Sequence, residues 1–317
     1  MRNAFAETIT KLASLDQRIV LLSGDIGNRL FDPFKKLFPN RFYNCGVAEA
    51  NMTSVAAGLA LSGLKPITYT IAPFNTTRCL EQIKIDICYH NAPVIIVGVG
   101  AGLSYASLGG SHQSCEDISF LRSLPNMNIV SPCDSYELIA LLKEAVKIDK
   151  PLYFRMGKKN EPLIYDKIPN LKIGKGNIIK KGKDICIISY GPILHEALLA
   201  ADILKEKEKI NAQIISMHTI KPLDTDLLKD IFNNFSSVIS IEEHSIIGGL
   251  GSSIAEWMID SDIKNKRLLR IGTPDSFFSP IGSQTFVRKK LKIDAENIYY
   301  KITNHLKTYE NTRCNIS

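Results

Sequence analysis

Residues 44–71 read NCGVAEANMTSVAAGLALSGLKPITYTI. From Glu49 to Ser62 the residues are nearly all small or apolar, and the stretch is long enough for a helix rather than a strand. Gly63 stops it. Pro66 to Ile71 follows at once as a short apolar run, the pattern of a strand buried on both faces. A helix feeding a doubly buried strand is the repeating unit of a parallel sheet with helical crossovers.

The alternation continues in both directions. Strands are predicted at Ile19–Ser23, Pro93–Val99, Met127–Val130 and Leu152–Phe154. Helices are predicted at Ala4–Leu15, Thr76–His90, Ser114–Leu124 and Ser135–Ile148. From Gly157 to Lys183 the chain is rich in Lys, Gly, Pro and Asn, and the periodicity lapses. It then resumes, with strands at Ile185–Ser189, Ala212–Ser216, Ser237–Ile241 and Leu268–Ile271. The matching helices are Leu194–Glu206, Leu223–Asn233, Ser252–Asp260 and Ala295–Leu306. The fold class is therefore α/β, as two consecutive domains with mainly parallel sheets. The boundaries fall at 1–160 for the first domain, 161–183 for a linker, 184–308 for the second domain and 309–317 for a tail.

The composition fits this reading. The 317 residues are 45% hydrophobic and 22% charged, with 20 Gly and 14 Pro. Collagen, disordered and coiled-coil classes are excluded. The longest apolar run, Ala92–Leu103, is about half of what a membrane helix needs, so no membrane partner is expected. Glu7 arrives too early for a signal-peptide apolar region, and the cytoplasm is the expected compartment. Seven cysteines, an odd number with no C-x-x-C spacing, argue against a disulfide framework and a zinc site. The histidines carry no metal-ligand spacing. The net charge of +7 comes without an aromatic–basic stripe, so a nucleic-acid partner is not expected and a solvated lysine surface is.

Three segments carry candidate chemistry. Glu49 stands at the mouth of an apolar helix, favoured by the helix N-terminus and partly desolvated; by itself it could simply complement the dipole. In Leu108-Gly-Gly-Ser-His-Gln-Ser114, a Gly-Gly turn presents His112, a candidate acid/base or hydroxyl-binding group. Ile241-Glu-Glu-His-Ser-Ile-Ile-Gly-Gly-Leu-Gly251 is a glycine-rich strand-to-helix turn without phosphate-loop spacing, and close packing is the simpler reason for its glycines.

Six motifs in order then carry a resemblance: GDIG at 24–27, GVAEANM at 46–52, GGSH at 109–112, LRSLPNMNIVSPCD at 121–134, TIKPLD at 219–224 and EEHSIIGGLGSSIAE at 242–256. Over nearly its whole length the chain resembles the C-terminal half of transketolase and of 1-deoxyxylulose-5-phosphate synthase. More distantly it resembles the beta subunits of 2-oxoacid dehydrogenases. The resemblance implies a pyrimidine-binding fold for thiamine diphosphate, followed by the transketolase C-terminal domain. Glu49 would be the family's activating glutamate, bonded to a pyrimidine ring nitrogen and setting the tautomer of the cofactor. Phe74 would pack on the aminopyrimidine, and Asp25 would stand beside the thiazolium. His112 would act on the substrate. Arg2, Lys158 and Arg155 fall where the family binds sugar phosphate.

The family's diphosphate domain carries Gly-Asp-Gly and an Asn that hold magnesium, and no Gly-Asp-Gly occurs here. The resemblance therefore implies one subunit of a split transketolase. A separate N-terminal subunit would bring the diphosphate and Mg2+ site, in a heterotetramer active only when complete. This chain itself would hold no metal. The reaction would transfer a two-carbon ketol unit between sugar phosphates. The alternatives are a beta subunit of a 2-oxoacid decarboxylase or dehydrogenase, and an enzyme like the xylulose-phosphate synthase. Two polar positions of transketolase read Leu108 and Gly100, which implies an unusual sugar unless Ser104, Tyr105 or Ser107 supplies the missing hydrogen bond.

Overall fold

The computed structural model describes residues 1–27 and 29–314, with side chains through Thr308. In chain order the strands are β1 Ile19–Ser23, β2 Phe42–Asn44, β3 Lys65–Ile71, β4 Ile95–Val99, β5 Asn128–Val130, β6 Leu152–Met156, β7 Asn177–Lys180, β8 Ile185–Ser189, β9 Ala212–Ser216, β10 Thr219–Lys221, β11 Ser237–Ser245 and β12 Arg267–Thr273. Seven of them form one sheet in the order β10-β5-β6-β4-β3-β1-β2, and five form a second in the order β12-β11-β8-β9-β7. All pairings are parallel except β10 with β5 and β7 with β9, each at a sheet edge. The two-domain α/β architecture read from the alternation is the one observed.

β1 explains why its sequence is uniformly apolar. Ile19 and Leu21 pack into one cluster with Phe5, Ile9 and Ala13 of helix Arg2–Leu15. Val20 and Leu22 pack into the opposite cluster with Met52, Ala56 and Ala60 of helix Glu49–Leu61. Period-two alternation thus points at two cores instead of at core and water.

Three departures from expectation matter for the site. The linker predicted at 161–183 contains strand β7, which closes the edge of the second sheet against β9. Strand β10 leaves its own domain and pairs antiparallel with β5, Thr219 opposite Val130. The two domains are thereby joined by backbone hydrogen bonds, extended by Ser131 N to His218 O at 2.7 Å and Ser245 N to Cys115 O at 2.7 Å. The continuous helix expected over 76–90 instead opens with a 3-10 turn at Thr77–Cys79 and widens to a π-helical turn at Ile83–Tyr89. Asn75 is the cause at its start: its amide is pulled into the sheet, donating to Val97 O at 2.9 Å and Thr68 Oγ1 at 3.1 Å.

The last helix runs Ala295–Cys314, so most of the stretch expected as a tail is helical, and residues 315–317 lie outside the described residues. The side chain of Cys314 lies outside them too. The other six cysteines are free thiols. No helix among the described residues is long and apolar enough to cross a membrane.

Candidate active site at the carboxyl edge of the first sheet

β1, β3, β4 and β6 lie side by side in one direction, and the segments leaving their carboxyl ends converge. That edge is where open parallel sheets bind ligands. The loop after β1 brings Gly24 and Asp25, that after β3 brings Phe74 and Arg78, that after β4 brings Gly100 to His112, and that after β6 brings Lys158. Helix Glu49–Leu61 sets its first residue against the same edge.

Glu49 is 4% exposed. Its Oε2 accepts from Arg78 Nη1 at 2.7 Å. A Cβ on Gly24 would come within 3.7 Å of Glu49 Oε1 and 2.9 Å of Thr70 Oγ1, so the glycine keeps the floor of the site low. The guanidinium carbon of Arg78 lies 4.2 Å from the centre of the Phe74 ring, a cation–π arrangement. The Phe74 ring also meets His112 edge-on, centroids 5.2 Å apart. His112 in turn lies 6.2 Å from the Tyr105 ring, and Lys158 Nζ stands 4.1 Å over that ring. The predicted residues Glu49, Phe74, His112 and Lys158 therefore form one continuous row, linked by Arg78, which the sequence reading did not name, and by Tyr105, which it named only as a possible hydrogen-bonding group.

The ends of the row differ in charge. Burial lowers the pKa of the Lys158 ammonium, and the charges of Lys159 and Arg2 lower it further. Arg2 also acts on the Tyr105 phenol, so the three cations and this ring share one neighbourhood. Among the described residues neither Arg2 nor Lys158 has an acidic partner. Asp25 is exposed at the other end, its Oδ1 held by Asn44 Nδ2 at 3.1 Å. The ring of His112 is positioned by Ser111 Oγ at 3.0 Å from Nδ1.

Arg155 lies elsewhere. It is 2% exposed, and its Nε donates to Asp117 Oδ2 at 2.9 Å. Its Nη2 donates to Ser114 O and Glu243 O, both at 3.1 Å. Its charge is thus committed to the junction of the two domains, and the structure does not bring it to the cleft with Lys158. The cause is register: Arg155 lies within β6, opposite Gly98 of β4, three residues before Lys158 in the loop that follows.

The glycine-rich turn is filled from within. Glu242 accepts from Leu250 N at 2.8 Å and Gly251 N at 3.0 Å, occupying the helix N-terminus that a phosphate would need. A Cβ on Gly249 would lie 2.1 Å from Glu242 Oε2, so close packing accounts for the glycine. Among the described residues no group of His, Cys, Asp or Glu could hold a metal ion.

Arg78 escaped the sequence reading, although its place four residues after Phe74, at the head of a helical stretch, was the available signal. Tyr105 was named in the sequence reading only as one of three hydroxyls that could replace a missing hydrogen bond.

A buried acid, an aromatic face and a histidine on this edge of this sheet fit the class of transferases that work with thiamine diphosphate. The family follows from comparison. Residues 1–162 match the family described as transketolase, pyrimidine binding domain, and residues 174–298 match transketolase, C-terminal domain. The chain belongs to the transketolase family. It is 38% identical over 310 residues to a chain of Methanocaldococcus jannaschii provisionally named a transketolase C-terminal section, covering 97% of this chain and 96% of that one. It is 36% identical over 276 residues to one of the subunits of the apulose-4-phosphate transketolase of Phocaeicola vulgatus, covering 86% of this chain and 87% of that one. A solved split-gene transketolase, described as an inactive beta4 tetramer, superposes with a TM-score of 0.88 at 33% identity, covering 96% of this chain and 98% of that one. The chain is the pyrimidine-side subunit of a two-component transketolase, a transferase.

Proposed function

We propose that this subunit completes its active site with an N-terminal partner that holds the diphosphate and Mg2+. Together they would transfer a two-carbon ketol unit between anionic sugars. The observation that carries this is the row from buried Glu49 to the cations Lys158 and Arg2, which gives a cofactor end and an anion end in one cleft. The residues fit the cofactor's ring: a buried carboxylate for a ring nitrogen, the Phe74 face for stacking, and Thr70 Oγ1, buried with no hydrogen-bond partner, beside Gly24. Thiamine diphosphate, when bound, supplies the carbon nucleophile that no side chain here offers.

Each residue then has a part. Glu49 would hold the pyrimidine nitrogen and exchange a proton with it, Phe74 would carry the ring, and Asp25 would border the thiazolium side. His112 donates to or accepts from oxygen at the reacting carbons, within reach of both rings beside it. Arg2 and Lys158 anchor a phosphate-like terminus without neutralisation by a neighbouring acid. Similarity to a transketolase chain named for apulose 4-phosphate favours an uncommon ketose phosphate over the ordinary ones. Similarity to a beta4 tetramer favours self-association of this subunit inside a heterotetramer. Free thiols at Cys79, Cys88, Cys115 and Cys133 suit a reducing cytoplasm.

The test is reconstitution with a chain that carries the Gly-Asp-Gly domain. Ketol transfer from a ketose phosphate supports the proposal. Release of CO2 from a 2-oxoacid, without transfer from any ketose, would replace it with the decarboxylase reading.

A further inference from the structure

Tyr105 is 7% exposed, and its ring is seated directly over Gly100. Gly100 has φ +68°, and a Cβ there would lie 2.0 Å from a carbon of the Tyr105 ring, so ring and side chain cannot coexist at this spot. The ring thus fills a place that any other residue at 100 would claim.

Its hydroxyl is left free. Among the described residues it makes no hydrogen bond, and it is not one of the fully enclosed polar atoms. A nearly buried phenol whose oxygen still opens to solvent is an unmet donor and acceptor at the wall of a cleft. The other hydroxyls of the loop are placed differently, Ser111 Oγ lying 3.0 Å from His112 Nδ1. Ser104 Oγ is committed to Ala101 O at 2.9 Å, and Ser107 is exposed. Leu108, 49% exposed, has no polar group to offer. Burial raises the phenol's pKa and the nearby Arg2 charge opposes the rise, so the group stays a neutral O–H donor at neutral pH.

The location fixes what this hydroxyl can read. His112 lies on one side of the ring, 6.2 Å between centroids, toward Phe74 and Glu49. Lys158 Nζ lies over its face at 4.1 Å. An extended sugar phosphate with its reacting carbon at His112 and its anion at Lys158 would pass its middle carbons along Tyr105.

We propose that Tyr105 is a specificity-determining residue of this cleft, its hydroxyl bonding a hydroxyl group on the middle carbons of an anionic sugar. The proposal deepens the transketolase reading and rests on it for the orientation of the substrate. It needs no reaction, so binding alone can test it.

The full chain is titrated with two probes by NMR or calorimetry. One is inorganic phosphate; the other is the tighter-binding of D-arabinitol 5-phosphate and D-ribitol 5-phosphate, which have hydroxyls but no carbonyl to react. Tyr105→Phe keeps the ring over Gly100 and removes only the oxygen. It should leave phosphate affinity within about twofold and thermal stability unchanged, and weaken the pentitol phosphate by about tenfold. Lys158→Ala should weaken both probes. If Tyr105→Phe weakens neither probe, or both equally, the proposal is overturned. If the unmodified chain binds neither probe, the anion pocket is absent, the orientation falls and this inference falls with it. A transfer assay that succeeds while Tyr105→Phe binds normally would leave the transketolase reading intact and reject Tyr105 alone.

Discussion

Arg78 Nη1 lies 2.7 Å from Glu49 Oε2 while its guanidinium carbon lies 4.2 Å from the centre of the Phe74 ring. One flat cation therefore touches both the acid and the aromatic face that the pyrimidine ring would use. It compensates a carboxylate that burial would otherwise disfavour.

Arg78→Ala removes that compensation. The arginine side chain is 43% exposed and the glutamate 4%, so solvent screens the pair from one side. We expect a loss of about 1 kcal/mol instead of the several typical of a fully buried pair. In a chain already carrying Glu49→Gln the same change should cost less, leaving only the loss of the Phe74 contact. Urea unfolding of the two single variants and the double variant measures this; additive effects would mean that the contact contributes no energy.

Arg155→Met attacks a different structure. Arg155 and Asp117 are both buried and tied across the domain junction, so removing the cation should cost about 3–5 kcal/mol. An unchanged unfolding midpoint combined with a raised KM would return Arg155 to the substrate site.

Acid should loosen the same junction through His218. Burial pushes its pKa below its ordinary value of 6.5, outweighing the opposite pull of Glu137 and Asp224. The unfolded chain then binds a proton that the folded chain refuses. Stability is therefore full above about pH 6.5 and falls as the pH drops through the window below it. The Tm of the unmodified chain should decline more steeply from pH 7 to 5 than that of His218→Asn. Parallel curves would remove His218 from the account.

The strands facing two cores were legible because burial on both sides leaves a continuous apolar run, as at β1 and β4. β2, β7 and β10 were not. Each has three or four residues at a sheet edge, too few to show a period, and β10 is held by a partner strand from the other domain. At the cleft, Glu49, His112 and Lys158 were singled out through motifs, and the structure sets the three along one edge of the sheet. Arg155 was misplaced because sequence spacing does not separate a residue inside β6 from one in the loop beyond it. Arg78 was missed because it acts through its contact to Glu49, 29 residues away in sequence, and Tyr105 was weighed for its hydroxyl but not as a wall of the cleft.

Replacing Arg2 or Lys158 by alanine in the reconstituted enzyme should raise KM for a phosphorylated ketose more than it lowers kcat, since the anion is held equally before and during reaction. The pentitol phosphate titration supplies an independent check. Normal KM in both variants would move the anion pocket elsewhere.

Exchange of the thiazolium proton of thiamine diphosphate for deuterium, followed by NMR in the reconstituted complex, reports the role of Glu49 without any substrate. With Glu49→Gln the exchange should slow by about 10²-fold or more while the subunits still assemble. Exchange at the unmodified rate in an assembled Glu49→Gln complex would contradict the assignment of Glu49, and with it the reading of this cleft as the pyrimidine side of the active site.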